Sequence, residues 1–438
     1  MSHPTAASSL ADWLTHLENL HPRGQAGIEL GLERVQQVKA RLGQQPHCPI
    51  ITVGGTNGKG STVAYLESIL LRAGYRVGAY SSPHLLAYNE RVRLNREPAS
   101  DAALAAAFSR VEAARQAAGN VALTYFEFGT LAAWEVFAAA DCEAVILEVG
   151  LGGRLDAVNA YDADLAIVTG IALDHTDWLG PDRESIAYEK AGIFRPGRPA
   201  FCADREPPQS LLNHAAAIGA DLKLIGRDFG FTRDAENRLQ WRYWGKQGER
   251  LLKRSLAYPG LRGAVQLNNA SVVLAALDAL EPRLPVTMQA IRQGLIETEI
   301  PGRFQVVPGQ PAVVLDVGHN PQALAVLADN LGSMGFFATT HAVVGMLADK
   351  DAGTALQALA GKVQHWYLAD LSGPRAAPAS RLAAIIAERQ LGGSVQCFTD
   401  PKQAFVAAQE AAVPSDRIAA FGSFYTVAGA LEALKARR

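Results

Sequence analysis

The 438-residue chain carries 41 basic and 43 acidic side chains, a formal net charge of −2, 49% hydrophobic residues and four cysteines. That balance offers no global attraction to nucleic acid or an anionic membrane, and no apolar run approaches the roughly 20 residues of a membrane span. Cys48, Cys142, Cys202 and Cys397 form no C-x-x-C pair, and no basic-then-apolar leader opens the chain, so the expectation is a cytoplasmic enzyme of two or three domains without a disulfide framework or zinc site.

Residues 11–42 read as helical, with Leu14, Leu17 and Leu20, then Leu32, Val35, Val38 and Leu42 at helical spacing. Residues 21–31 interrupt them with a polar, glycine-containing loop long enough to fold over a ligand. Ile50, Ile51 and Val53 form the short apolar run of a buried parallel strand. The glycine-dense turn G-G-T-N-G-K-G-S follows, then a helix over 62–73 with Gly74 as its stop. Strand, glycine loop and helix make a phosphate-binding arrangement: backbone N–H groups turn toward the anion, the helix dipole assists, and a lysine adds a point charge. Lys59 is that lysine, and Ser61 or Thr62 offers a hydroxyl to Mg²⁺. The general pattern G-x-x-x-x-G-K-[ST] fits imperfectly, because Gly60 stands where the hydroxyl residue should follow Lys59. A nucleoside triphosphate is the expected ligand.

A strand over 76–80, the sequence S-S-P-H, an arginine-rich stretch at 89–96 and an alanine-rich helix over 102–118 come next. Residues 144–149 and 165–171 are further apolar runs ended by polar or glycine-rich turns, so the alternation predicts an α/β fold with a mostly parallel sheet and ligands at the strands' C-terminal ends. Residues 229–258 alternate polar and aromatic residues and read as an antiparallel excursion, followed by a helix over 268–280. E-T-E-I-P-G-R at 297–303 breaks the pattern, and strands and helices then restart as a second, smaller α/β domain. The expected division is 1–297 and 298–438.

Glu148 ends one predicted strand and Asp174-His175 the next, where an α/β enzyme places Mg²⁺ ligands. A lone histidine is more often structural, but its sharing of a sheet edge with Glu148 and Lys59 favours a ligand. Lys190 in Y-E-K-A-G-I-F, read alone, is a solvated charge. Arg303 in P-G-R-F and Asp316 with His319 in D-V-G-H-N-P follow apolar segments across the boundary and can close onto a nucleotide, although each has an equally good structural explanation singly.

G-T-N-G-K-G-S, S-S-P-H, E-V-G-L-G-G-R-L-D-A, L-D-H-T-D-W-L-G, E-K-A-G-I, P-G-R-F and D-V-G-H-N-P occur in this order, and the chain closely resembles the folylpolyglutamate synthase/dihydrofolate synthase family of the ATP-dependent Mur-type ligases from about Leu14 to Tyr425. The resemblance implies a P-loop, Mur-type central domain and a Rossmann-like C-terminal domain. It implies ATP-dependent transfer of L-glutamate to 7,8-dihydropteroate and to reduced folates such as tetrahydrofolate through an acyl phosphate; the alternative is a folylpolyglutamate synthase alone. By motif, Gly55, Thr56, Asn57, Gly58, Lys59, Gly60 and Ser61 cradle phosphates, with Asn268, Arg303, Asp316 and His319 also on ATP. Ser82, Glu148 and His175 bind Mg²⁺, and Lys190, carbamylated in many such ligases, joins them as an anion. Lys59, His175, Lys190 and Arg303 are the implied catalytic set; Ile28, Leu30, Gly31, Thr124, Phe126 and Asp156 are the implied pterin pocket.

ATP and Mg²⁺ are the implied cofactors, with a monovalent cation beside them. The partners are small molecules only, with neither nucleic acid nor membrane, and the chain is expected to be a monomer whose two domains close around ATP. Two departures stand out. Gly170 occupies a place where members often carry asparagine, and D-V-G-H replaces the commoner D-G-A-H.

Overall fold

The computed structural model describes residues 4–5, 7–22, 27–43, 47–233, 239–263 and 265–436. Residues 23–26 of the expected ligand-covering loop therefore lie outside the described residues. The chain divides into two compact units, Met1–Gly260 with Leu267–Thr298, and Leu261–Gln266 with Glu299–Arg438.

The first unit is built on β1 (Ile50–Gly54), β2 (Val77–Tyr80), β3 (Val92–Leu94), β4 (Glu97–Pro98), β5 (Ala144–Glu148), β6 (Leu165–Val168), β7 (Pro199–Cys202) and β8 (Asp221–Leu224). They form one sheet in the order β4-β3-β2-β5-β1-β6-β7-β8. The six strands from β2 to β8 in that order run parallel, while β3 and β4 add an antiparallel edge. The central strands are continuous apolar runs because both faces are covered, and β2, β5 and β6 are buried at every residue. Register aligns the strand ends: Val53 lies opposite Glu148, Gly54 opposite Val168, and Tyr80 opposite Leu147. The residues just after β1, β2, β5 and β6 therefore leave the sheet from one edge.

The helix after β1 spans Lys59–Arg72, three residues earlier than the sequence predicts. Gly58, left-handed at φ 92°, is its N-cap, so the helix absorbs Gly60 instead of following it. Val63, Leu66, Ile69 and Leu70 are buried as the spacing requires, and so is Glu67, which pairs with Arg93 at 2.9 Å. The helix Met288–Ile296 packs closely here, since a Cβ on Gly294 would lie 2.6 Å from Ile69. At the N-terminus, the helices Leu10–Leu20 and Glu33–Lys39 bury Trp13, Leu17, Val35 and Val38 in a core shared with Phe108, Phe128 and Trp134, with Trp13 5.8 Å from the Phe108 ring.

The excursion at 229–258 is a three-stranded antiparallel sheet of β9 (Phe229–Arg233), β10 (Gln240–Gln247) and β11 (Arg250–Ala257), in the order β11-β10-β9. Trp241 and Tyr243 alternate inward from β10, which explains the aromatic–polar pattern.

The second unit contains β12 (Gln305–Val307), β13 (Ala312–Asp316), β14 (Thr340–Val344), β15 (His365–Ala369), β16 (Ser394–Phe398) and β17 (Arg417–Phe421), ordered β12-β13-β17-β14-β15-β16. All pairings but β12–β13 are parallel. Val314, Leu324, Val344, Trp366 and Phe421 lie at its core. Among the described residues, no helix is long and apolar enough to cross a membrane.

Candidate active site

The phosphate loop is shaped from its flanks. Gly55 has φ 137°, and a Cβ there would fall 2.0 Å from Thr169 Oγ1, so only glycine fits between β1 and the end of β6. Thr169 Oγ1 donates to the Asn57 carbonyl at 2.7 Å, and Thr56 N donates to the Gly170 carbonyl at 2.7 Å. Thr56 Oγ1 donates to the Ala172 carbonyl and accepts from Ala172 N, each at 3.1 Å. The strand that leads to His175 is thereby stitched to the loop that carries Lys59. At Gly170 a side chain would meet open space, and the loop is held through the Gly170 carbonyl instead.

The helix N-terminus itself is uncapped by any side chain, and no acid occupies its first turn. A positive dipole end without a side-chain cap and an adjacent lysine suit a polyphosphate. Lys59 Nζ folds over the loop, donating to the carbonyls of Gly55 at 2.9 Å and Thr56 at 3.1 Å.

Glu148 is buried at the end of β5, next in register to the start of this loop. Ser82 follows β2 at the same edge. His175, left-handed at φ 54°, heads the short helix Thr176–Leu179, with its N–H on Asp174 Oδ1 at 2.9 Å. A hydroxyl, a carboxylate and an imidazole fit Mg²⁺ that keeps room for phosphate oxygens and water. No group of three or more His, Cys, Asp or Glu side chains able to cage a metal occurs among the described residues.

Lys190 is not the solvated charge that its local sequence indicates. It is 4% exposed, and burial first, then the charge of Lys59, pull its amine down to about 7, against Asp174 and Asp156. Asp156 is pushed the other way, up to about 7, by burial, although it accepts from Leu151 N at 2.8 Å and Val158 N at 3.1 Å and feels Lys59. Low dielectric penalises charge on both groups.

The pterin-side residues form a connected group. Gly31 N donates to the Leu155 carbonyl at 3.3 Å, tying the segment holding Ile28 and Leu30 to Asp156. A Cβ on Gly150 would lie 2.6 Å from Phe126 Cζ, and the Phe126 ring is 5.7 Å from that of Tyr80. Thr124 caps the helix Tyr125–Ala139, accepting from Glu127 N while Glu127 accepts from Thr124 N. Arg34 ties this cap to the N-terminal segment through Glu127 at 3.0 Å and Glu29. Thr124 and Asp156 thus have structural duties that the motif alone does not show.

In the second unit, Asp316 ends β13 and His319 follows it, while the turn holding Arg303 is tied to Asp316 through Phe304. Asp316 accepts from Phe304 N at 2.8 Å and Gly318 N at 2.7 Å; burial raises its carboxyl while these donors and Arg303 oppose the rise. Arg303 lies 5.5 Å from the Phe424 ring centroid. Asn268, a first-unit residue on the helix Val265–Leu280, accepts weakly from Arg205 at 3.4 Å.

Residues 53–277 match the Mur ligase middle domain family, and residues 302–424 match the Mur ligase, glutamate ligase domain family. The dihydrofolate synthase/folylpolyglutamate synthase of Escherichia coli (strain K12) is 45% identical over 436 residues, spanning 99% of this chain and 98% of that one. The chain belongs to the dihydrofolate synthase/folylpolyglutamate synthase family of Mur ligases. The structure of E. coli FolC in complex with DHPP and ADP superimposes with a TM-score of 0.91 at 45% identity, covering 100% of both chains. A bifunctional folylpolyglutamate synthase/dihydrofolate synthase with Mn, AMPPNP and L-glutamate bound gives 0.88 at 46% identity, covering 99% of this chain and 100% of that one.

Two further residues of this family member, Asn269 and Thr169, lie at the loop without a motif to mark them. A Cβ on Gly58 would fall 2.7 Å from Asn269 Oδ1, so Asn269, buried beside the loop, abuts the phosphate cradle more closely than Asn268 is seen to. The doublet Asn268-Asn269 is the only sequence signal, and helix phase decides which member faces the loop. Thr169 has no signal beyond preceding Gly170.

Proposed function

We infer that this chain is an ATP- and Mg²⁺-dependent amide ligase that joins L-glutamate to 7,8-dihydropteroate and to reduced folates. The observation that carries the reading is an uncapped glycine-rich helix N-terminus bearing Lys59 at the sheet edge where Glu148 ends its strand, with buried Lys190 and Asp156 both within the electrostatic reach of Lys59. Family membership supplies the substrates, and the ligands named for its relatives fit these groups.

A carboxylate is a poor electrophile, so its oxygen first attacks the γ-phosphorus of ATP, releasing ADP and leaving an acyl phosphate. The amine of glutamate then attacks the acyl carbon, loses a proton, and expels inorganic phosphate as the amide forms. Negative charge spreads over the phosphoryl oxygens in the first step, where the positive end of the helix that starts at Lys59 and the Lys59 ammonium would stabilise it. Ser82, Glu148 and His175 would hold Mg²⁺, which offsets the same charge. Arg303, Asp316, His319 and Asn268 are assigned to ATP, and Ile28, Leu30, Gly31, Thr124, Phe126 and Asp156 to the pterin, whose flat ring suits an aromatic face and an acid that meets ring N–H donors. A Lys190 amine near neutrality at pH 7 is the form that captures CO₂, and the resulting carbamate would add oxygen ligands for the metal.

We place the protein in the cytoplasm as a monomer with small-molecule partners and no nucleic acid, consistent with a net charge of −2. The test is product formation with ATP, glutamate and either dihydropteroate or tetrahydrofolate in parallel, read by mass spectrometry. Folded protein that yields neither ADP nor dihydrofolate refutes the reading.

A further inference from the structure

Arg91 differs from three guanidiniums near it in the first unit. Arg34, Arg93 and Arg154 are each paired with a glutamate, Glu127 at 3.0 Å, Glu67 at 2.9 Å and Glu189 at 2.7 Å. Arg91 is partly exposed, and its Nε donates to His84 Nδ1 at 2.8 Å. Among the described residues, neither of its terminal nitrogens makes a hydrogen bond and no carboxylate pairs with it. Yet the group is held in place. Its guanidinium lies 5.6 Å from the Tyr88 ring centroid and 5.7 Å from that of Tyr125. Glu90 braces the loop by accepting from the backbone N–H of Leu85, Leu86 and Ala87 at 2.7, 2.9 and 2.8 Å. A rigidly oriented fork of donors without a protein anion is what carboxylate recognition requires.

Its position selects the carboxylate. The Arg91 carbonyl accepts from Ser81 N at 2.9 Å, beside the metal candidate Ser82, while its side chain reaches Tyr125, between Thr124 and Phe126 of the pterin group. Arg91 thus bridges the end where the acyl phosphate forms and the end that holds the ring. Dihydropteroate has a single carboxylate, and that one reacts. A folate already bearing glutamate reacts through its γ-carboxylate and carries, between that group and the ring system, an α-carboxylate that does not react. We propose that Arg91 binds the α-carboxylate of the acceptor's terminal glutamate, making it a residue that favours glutamylated acceptors over dihydropteroate. The assignment rests on the reading of the chain as a ligase for both acceptors.

The experiment compares kcat/KM of the full-length wild type, Arg91→Met and Arg91→Lys with dihydropteroate, tetrahydrofolate and the α-carboxamide of tetrahydrofolate. Loss of a charge-assisted pair lowers the tetrahydrofolate-to-dihydropteroate ratio of Arg91→Met on the order of tenfold to a hundredfold, chiefly through KM. Wild type prefers the acid to the carboxamide by a similar factor, Arg91→Lys keeps part of that preference, and Arg91→Met loses it. Each comparison is a ratio within one preparation, so a smaller folded fraction does not imitate the result. Should Arg91→Met not fold, the reduced acid-to-carboxamide preference of Arg91→Lys carries the test. Variants that discriminate acid from carboxamide as wild type does, or that lose both acceptors in equal proportion, overturn the proposal alone. A wild type that converts dihydropteroate but not tetrahydrofolate overturns the dual-acceptor reading and this proposal with it.

Discussion

Replacing Lys190 with methionine tests the electrostatics of the site most directly. The side chain is 4% exposed, and its amine is lowered from 10.5 to about 7, mainly by burial. Because the folded value is the depressed one, the unfolded chain holds a proton that the folded chain lacks across the window from about 7 to 10.5. Stability from this group is therefore complete above that window and is lost as pH falls through about 7. At about 1.4 kcal/mol per pH unit, the shift withholds about 5 kcal/mol at acidic pH, and about 2 kcal/mol of it returns between about pH 7 and pH 9. Methionine keeps much of the apolar stem and removes the charge. In urea unfolding with CO₂-free buffers, Lys190→Met is expected to be the more stable protein near pH 7, its advantage shrinking by about 2 kcal/mol near pH 9. A stability difference that is the same at both pH values refutes the depressed amine. Labelled bicarbonate added to wild type should then produce a carbamate resonance that the methionine variant lacks.

Other outcomes follow from single contacts. Lys59→Ala removes the charge donated into the loop and should cut kcat/KM for ATP about a hundredfold or more, measured as ADP release. Gly55→Ala forces a Cβ to within 2.0 Å of Thr169 Oγ1 at a left-handed φ, so thermal unfolding should show a loss above about 2 kcal/mol, with weakened nucleotide binding. Thr124→Ala deletes a helix cap and should cost about 1 kcal/mol in denaturant unfolding. It should also raise KM for the pteroate acceptor while KM for ATP stays put, a split that a merely structural role would not produce.

Much of the site was legible because its signals are local. Ile50, Ile51 and Val53 spell a buried strand; the glycines and Lys59 spell an anion loop; Glu148 ends β5, whereas His175 lies beyond the end of β6, at the head of the helix Thr176–Leu179, and not at the strand end that the sequence indicates. These follow from hydrophobic periodicity and backbone freedom, both of which act over a few neighbouring residues. The helix begins earlier than the glycine-dense sequence indicates, because Gly58 in a left-handed turn lets it start at Lys59.

What the chain alone could not yield is everything set by distance in space. Burial turns Lys190 from an ordinary surface cation into an amine near neutrality, and no neighbour in its sequence announces that. Asn269 rather than Asn268 presses on Gly58 because of helix phase, and Thr169 threads the loop because β6 lies beside β1. Arg91 acquires its meaning only when β3 folds back on β2, setting its carbonyl on Ser81 and its guanidinium over two tyrosines. Periodicity and turn chemistry are carried by adjacent residues, so sequence determines them. Desolvation and pairing depend on which strands become neighbours, and only the folded sheet decides that.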